Sequence, residues 1–500
     1  MKKLSLFLLG FGFIQFGLFS QTFNGYALYT SQNSQTTYLI DKDGTIAKTW
    51  SCNKNGNYTV FLKEDGNILR QGVVSGAQLN GSAAGGIIQE YDKDSKVIWE
   101  FTYSNADHRS HHDFAVLPNG NVLLTAWEVK TATEMSDAGY SGNSEKWPTH
   151  IVEVQQDGTG GKIVWEWHMW DHLIQDTDDE KLNFGVVADH PELMDINVAS
   201  SARGGRPGGG GDWFHVNGID YNAALDQIVF TSRYMSEFMI IDHSTTTEEA
   251  ASHKGGKAGK GGDFLFRYGN PSNYGSSAAK VVAAAVHDPR WIKEGRPNAG
   301  YIQFFNNSGG AGNSSVVDAI KPQMDADGYN YIFSNGSYVP NSNEWRHNCK
   351  TNASGQSASD RMSNGNTFVN LSREYMYEVD SNDNIVWQYS EGPAKAFRYE
   401  CEYPGIITLL NNPCKVNNVG DLTKTELALF PNPSTGSFTI SGLDKKANDF
   451  SVAVIDVYGK VVLNIKNQTE IDLNGIAKGN YIVHILLENQ SVFKKLSLMD

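Results

Sequence analysis

After residue 20 the chain contains no run of about 18 apolar residues, so no later segment reads as a membrane-spanning helix. It has no basic stripe. The formal net charge is −15, which excludes general binding to nucleic-acid phosphates. None of the four cysteines, Cys52, Cys349, Cys401 and Cys414, sits in a CxxC pair, so a zinc centre built on cysteine is a poor reading. The glycine- and lysine-rich KGGKAGKGGDFLFRYGNP (254–271) lacks the GxxxxGK[ST] pattern of a phosphate loop. It also precedes a strand rather than a helix, and reads as a connection between repeats.

The first twenty residues are a charged Lys2-Lys3 head, an apolar centre and Ser20 before a cut at Gln21. This is the pattern of a secretory signal peptide (1–20), and no cysteine near the cut suggests a lipid anchor. The mature cysteines would then meet an oxidising compartment, where an even count favours disulfides. Cys401 and Cys414 bracket a short proline-containing loop and are the first pair to expect, although four cysteines permit three connectivities.

Five hundred residues suit one large repeat-built body with an appendage. Eleven Trp, 22 Tyr and 24 Phe supply a core, while 50 Gly point to many turns, so the chain reads as mostly β. A strand ending in an acidic turn and followed by an apolar-Trp strand recurs in YLIDKDGTIAKTW (38–50), IIQEYDKDSKVIWEF (87–101), IVEVQQDGTGGKIVWEW (151–167) and YMYEVDSNDNIVWQY (375–389). A second hairpin type alternates with it: YTVFLKEDGNILRQG (58–72), HDFAVLPNGNVLLTAW (112–127) and RMSNGNTFVNLS (361–372). Four short antiparallel strands per unit, repeated about six times, predict a six-bladed β-propeller over 22–410. A β-helix would not tolerate insertions such as 173–211, and a simple sandwich would not repeat the Asp-turn-Trp unit. After a linker at 411–425, residues 426–500 alternate apolar and polar residues between turns, as small antiparallel β-sandwiches do. The fold class is therefore all-β, a propeller followed by a small sandwich.

Three repeat copies place a histidine at what reads as one slot: His112, His215 and His287. Equivalent positions of a propeller meet near its axis, so these rings are expected to converge. Asn217, two residues after His215, should share its face of the strand, and Arg233 ends the next strand. His111 should point to the opposite face from His112, and stands in reserve should the register be off by one. Three imidazoles, an amide and a guanidinium, with Trp213 and Phe214 nearby, suit a sulfate or phosphate group on a flat apolar body. Three uses remain open for such a pocket: a histidine nucleophile with a second histidine protonating the leaving oxygen, a metal site, or inert binding. The arginine weighs against a metal there. His150, His168, His172, His190, His243, His253 and His347 lie outside the slot and read as structural or solvent-facing, and His484 reads as structural.

DWFHVNGIDYN (212–222), TSRYMSEFMIIDHSTTTEEA (231–250), KGGDFLFRYGNP (260–271), VHDPRWIKEGRPNAGYIQFFNN (286–307) and VWEWHMWDHLIQD (164–176) together resemble the bacterial arylsulfate sulfotransferases. The resemblance spans roughly 25–400. It implies a six-bladed propeller that moves a sulfuryl group from a phenolic sulfate ester to a phenol, without the nucleotide sulfate donor and without any cofactor. It assigns the nucleophile, a sulfohistidine in the intermediate, to His287. His215 and Arg233 take the other catalytic places, and His112 and Asn217 take substrate-binding places. The slot in the last blade falls near Ser357. PNPSTG (431–436), VYGK (457–460), GNYIV (479–483) and KKL (494–496) resemble the C-terminal sorting domain of the type IX secretion system of Bacteroidetes. That resemblance implies passage through the type IX machinery to the cell surface or beyond. Aryl sulfate hydrolysis, or non-catalytic binding of sulfated or aromatic ligands, is the alternative function.

Overall fold

The recurring tryptophan explains the repeat. A computed structural model of the chain describes residues 22–198, 211–277, 283–353, 355–411, 413, 427–443, 450–456, 460–487 and 490–499. In it, each Asp-turn-Trp unit is the outer hairpin of a four-stranded antiparallel sheet. Asp41, Asp92 and Asp380 each accept two backbone N–H bonds across their own turn. This Asx geometry lets short acidic loops close a hairpin. The tryptophan seven to nine residues further on then donates its indole N–H to the hairpin turn region of the next sheet. Trp50 reaches Asp92 O, Trp99 reaches Gly160 O, Trp165 reaches Thr245 Oγ1 and Trp387 reaches Lys42 O. One side chain thus fills a core and ties neighbouring sheets.

Six such sheets form the body. Blade 1 contains Gly25–Thr30, Thr36–Ile40 and Ile46–Ser51; its innermost strand is Ala396–Glu400, drawn from the far end of the body. Blade 2 is Gly56–Leu62, Ile68–Val73, Gly86–Tyr91 and Val97–Thr102. Blade 3 is His108–Val116, Val122–Glu128, Thr149–Asp157 and Gly160–His168, and blade 4 is Val216–Asn222, Gln227–Ser232, Glu237–Asp242 and Phe266–Tyr268. Blade 5 is Val286–Trp291, Ile302–Asn306, Val316–Ile320 and Trp345–Asn348, and blade 6 is Ala358–Arg361, Thr367–Asn370, Met376–Val379 and Ile385–Tyr389. The innermost strands contact one another in a closed ring, each with the next and blade 6 with blade 1. The body is a six-bladed β-propeller whose first blade unites both ends of the body.

Each interface between adjacent blades has its own apolar core. Along one strand, Ile228 and Phe230 pack toward blade 3 while Val229 packs toward blade 5. Both faces of the strand are buried, so it reads as a continuous apolar run rather than an alternating one.

The ring is also locked electrostatically. Lys395, one residue before the closing strand and 1% exposed, lies 2.7 Å from Asp113 of blade 3 and 3.1 Å from Asp288 of blade 5. Arg290 completes the group at 2.8 Å from Asp288 and 3.5 Å from Asp113. Burial alone would raise the Asp113 pKa, but Lys395 and Arg290 hold it below the ordinary value. Removing one partner strands a buried charge, so Lys395→Met is expected to destabilise the propeller by about 3–5 kcal/mol in reversible denaturation.

The chain divides after Cys414 into two compact units. The second contains a three-stranded sheet, ordered Ala428–Phe430, Ser437–Ser441, Glu470–Asp472. Its four-stranded sheet runs Val461–Lys466, Phe450–Asp456, Gly479–Leu487, Gln490–Leu498. Phe438, Ile440, Val452, Val483 and Leu496 fill the core of this β-sandwich. His484 stacks on Phe493 with ring centroids 4.3 Å apart. Cys52 and Cys349 are free, and Cys401 is disulfide-bonded. Cys414, its expected partner, lies outside the described residues, as do residues 1–21 and most of the linker. Among the described residues no helix is long and apolar enough to cross a membrane.

Candidate active site

On the innermost strands of blades 3, 4 and 5 the ladder is broken beside the histidines, between Ser110 and Phe114, between Val216 and Gly218 and between His287 and Arg290. Residues in or next to these bulges leave the extended conformation: His112 has φ 51°, His215 φ 52°, Ala285 φ 53° and Asp288 φ 51°. Non-glycine residues seldom adopt such values, and a left-handed residue re-aims the side chains beside it. The bulges bring the predicted rings together. His112 Nε2 lies 3.1 Å from His215 Nε2, and His111 Nδ1 lies 2.9 Å from His112 Nδ1. His287 is close enough that His215 and Arg233 both depress its pKa.

Three expectations are corrected. First, His215 does not occupy the slot of His287. Val216 pairs with Ser232 as Val286 pairs with Asn306, so Asn217 is the counterpart of His287, and His215 is the counterpart of Ala285. Second, His111 is not turned away; the positive φ of His112 breaks the alternation and both rings converge. Third, Asn217 is engaged elsewhere. Its Nδ2 donates to Val286 O at 3.0 Å and its Oδ1 accepts from Thr231 Oγ1 at 2.6 Å, tying the strand of His287 to blade 4. Trp213 and Phe214 belong to the core between blades 3 and 4. The aromatic rings touching the histidines are instead Trp127 on His111, Tyr234 on His215 and Tyr58 at the edge of His112. The expected slot of blade 6 is filled by fully buried Ser357, whose φ is 87°.

The hydrogen bonds fix the proton positions. Asp212 Oδ1 accepts from Trp127 Nε1 and from His215 N, each at 3.1 Å, and Asp212 Oδ2 lies 2.6 Å from His215 Nδ1. His215 Nδ1 therefore carries a proton, and its Nε2 faces His112. With His215 neutral, His112 Nε2–H donates to it and His111 Nδ1–H donates to His112. An added proton on His215 Nε2 reverses each of those bonds without moving a heavy atom. Asp212, held below the usual carboxylate range by His215 and Trp127 although burial opposes this, supplies the counter-charge.

His287 is held differently. Its Nδ1 faces two acceptors, Ala285 O at 2.9 Å and Asn307 Oδ1 at 2.6 Å, while Asn307 Nδ2 donates to Ala353 O at 2.8 Å. Nδ1 must therefore carry the proton and Nε2 the lone pair, which accepts Gln356 N–H at 3.0 Å. Gln356, at φ 53°, is anchored through its side chain to Tyr58 and Ser372. Arg233 approaches the same segment: its Nη2 would be 3.9 Å from a Cβ on Gly355. Sequence reasoning missed Asp212, Asn307, Gln356, Tyr58 and Lys395. Trp127, which holds Asp212, follows Ala126 on its strand as Arg233 follows Ser232 in blade 4.

Burial first, then the neighbouring imidazoles for His112 and Arg233 for His287, keeps both well below the usual imidazole pKa, and burial pushes His111 down to about 3. Below about pH 6.5 these three residues bind protons when unfolded but not when folded. Stability is accordingly expected to be full above pH 6.5 and to fall as pH drops, each histidine contributing ~1.4 kcal/mol per pH unit down to its folded pKa. Thermal melts of parent and His111→Gln protein between pH 7 and 4 check this, the variant showing the shallower loss.

Residues 18–397 match the family model described as arylsulfotransferase (ASST), and residues 428–499 match the secretion system C-terminal sorting domain. No curated protein matches the chain. Among solved structures, a protein of unknown function from Bacteroides caccae is 11% identical over 75% of this chain and 98% of its own, with a TM-score of 0.41. A Lactobacillus plantarum protein is 9% identical over 89% and 96% of the two chains, with a TM-score of 0.36. BamB from Moraxella catarrhalis is 10% identical over 73% of each chain, with a TM-score of 0.29. Likenesses this distant carry no functional argument. The sorting domain marks the protein for type IX secretion to the cell surface or outside.

Proposed function

The chain belongs to the arylsulfotransferase family, and from that premise we propose that it transfers a sulfuryl group from a phenolic sulfate ester to a phenol, through a sulfohistidine on His287 and without a nucleotide donor. The observation that carries this reading is the fixed tautomer of His287, with Nδ1–H bound to Asn307 and Ala285 and the Nε2 lone pair, covered by the Gln356 N–H, within the influence of Arg233.

In the first displacement His287 Nε2 attacks sulfur and the bond from sulfur to the aryl oxygen breaks. Gln356 N–H, which now covers the lone pair, gives way to the sulfur atom and, with the Arg233 guanidinium, receives sulfuryl oxygens. Positive charge growing on the imidazole is met by the two acceptors on Nδ1–H. The departing phenolate takes the proton held on His215, whose charged form is balanced by Asp212. In the second displacement a phenol gives that proton back to the His215–His112–His111 chain and attacks sulfur, and His287 leaves with its lone pair. Both steps suit phenols, whose pKa near ~10 makes the phenolate a better leaving group and nucleophile than an alkoxide. Asn217 acts as a positioning residue through Val286. The blade insertions at the channel mouth select donor and acceptor.

The test is phenol release from 4-nitrophenyl sulfate by the full chain, with and without an added phenol. Acceptor-dependent release with sulfated acceptor formed supports transfer. Release indifferent to acceptor indicates hydrolysis, and absence of release across a panel of aryl sulfates indicates a binding protein.

A further inference from the structure

A second group of histidines lies on blade 3, at the same end as His111. His150 of the third strand is paired with His168 of the fourth and Ala126 of the second, and Glu128 follows Ala126 by two residues. That spacing puts all three side chains on one face of the sheet. The two imidazoles stack with centroids 5.0 Å apart and planes 14° apart. One donor atom from each of Glu128, His150 and His168 lies within 4.8 Å of the others. We infer that these residues bind a divalent transition ion of the zinc class, a site separate from the sulfuryl-transfer centre.

The arrangement exceeds what an ion pair needs. His168 Nδ1 already has Glu128 Oε1 at 3.2 Å. His150, only 1% exposed, turns Nε2 to Tyr103 OH at 2.8 Å, and its Nδ1 has no hydrogen-bond partner although it is buried beside a carboxylate. Buried polar atoms are seldom left this way, and a bound ion is one of the few explanations. Each ligand is also supported from behind. Tyr103 orients His150, Glu166 Oε2 lies 3.6 Å from His168 Nε2, and Lys130 Nζ lies 2.9 Å from the second oxygen of Glu128. Outer partners of this kind fix ring orientation and tautomer at metal centres. Two imidazoles and one carboxylate form a donor set typical of zinc, leaving a fourth position for water. The His168 side chain, 27% exposed, leaves an entry path.

A second cluster, His172, His253 and Asp263, shows the contrast. His172 presents Nδ1 to Asp263 at 2.8 Å and Nε2 to Ala250 O at 2.9 Å. Both ring nitrogens of His172 are thus already hydrogen-bonded to protein oxygens, whereas His150 Nδ1 has no partner.

Cobalt serves as the probe. The full chain, stripped with a chelator, is titrated with Co²⁺ at pH 7.5 and followed by visible absorption. One equivalent should give the intense d–d bands of a four-coordinate ion, and Zn²⁺ should displace it. His168→Ala and Glu128→Gln, both at positions partly open to solvent, should each weaken binding by at least about 100-fold, and Tyr103→Phe by about 10-fold or more. His253→Ala should leave binding unchanged. Absence of saturable one-equivalent binding, or binding indifferent to His168→Ala and Glu128→Gln, overturns the inference. None of these readouts depends on sulfuryl transfer.

Discussion

Replacing His287 with alanine is expected to remove sulfuryl transfer and covalent labelling together. Loss of a nucleophile that works with a proton relay costs roughly four to six orders of magnitude, leaving the residual stabilisation supplied by the rest of the site. With His215 neutral, the lone pairs of His215 Nε2 and His112 Nδ1 are turned to neighbouring histidines. The His287 lone pair faces only a backbone N–H. His287 lies in a bulge and is 2% exposed, so the variant's melting temperature must be recorded beside its rate. A folded variant with parental turnover would show that the sulfuryl group never rests on His287.

Asp212→Asn should lower the transfer rate by about 10²- to 10⁴-fold with little change in structure. The reason is proton inventory. Asp212 accepts three bonds and donates none: two N–H groups point at Oδ1 and one at Oδ2. An asparagine best satisfies Trp127 Nε1 and His215 N by turning its oxygen toward them, which leaves its NH₂ facing His215 Nδ1. His215 must then carry its proton on Nε2, where it faces His112, and it loses the counter-charge for a second proton. The relay can no longer return a proton to the leaving phenolate. The loss should therefore shrink for donors whose phenol is already acidic, such as 4-nitrophenyl sulfate, and grow for donors with poorer leaving groups. An equal loss for every donor would indicate that Asp212 only holds the loop.

Much of the propeller was legible because its repeating device is local. The aspartate turn and the tryptophan that follows it occupy one hairpin, and the indole bond to the next blade explains why the pair recurs. The closing strand Ala396–Glu400 could not be read this way, since it pairs with Gly25–Thr30, some 370 residues away, and carries no turn signal of its own. In the site, the histidines were found but their register was not. Alternation of side chains assumes extended residues, and the left-handed His112 and His215 break it. Asp212 and Asn307 stayed invisible because their roles depend on which ring each meets across the fold. Asn217 was found for its chemistry, but its amide is bonded to Val286 O and to Thr231.

The most direct measurement is of the intermediate itself. The full chain is mixed with 4-nitrophenyl sulfate without acceptor, quenched in alkali to spare a bond between nitrogen and sulfur, and analysed as intact protein and as peptides. The account predicts one added SO₃ group on the peptide carrying His287, discharged when a phenol is supplied before the quench. Turnover with no adduct, or an adduct that sits elsewhere and does not discharge to phenol, would contradict it.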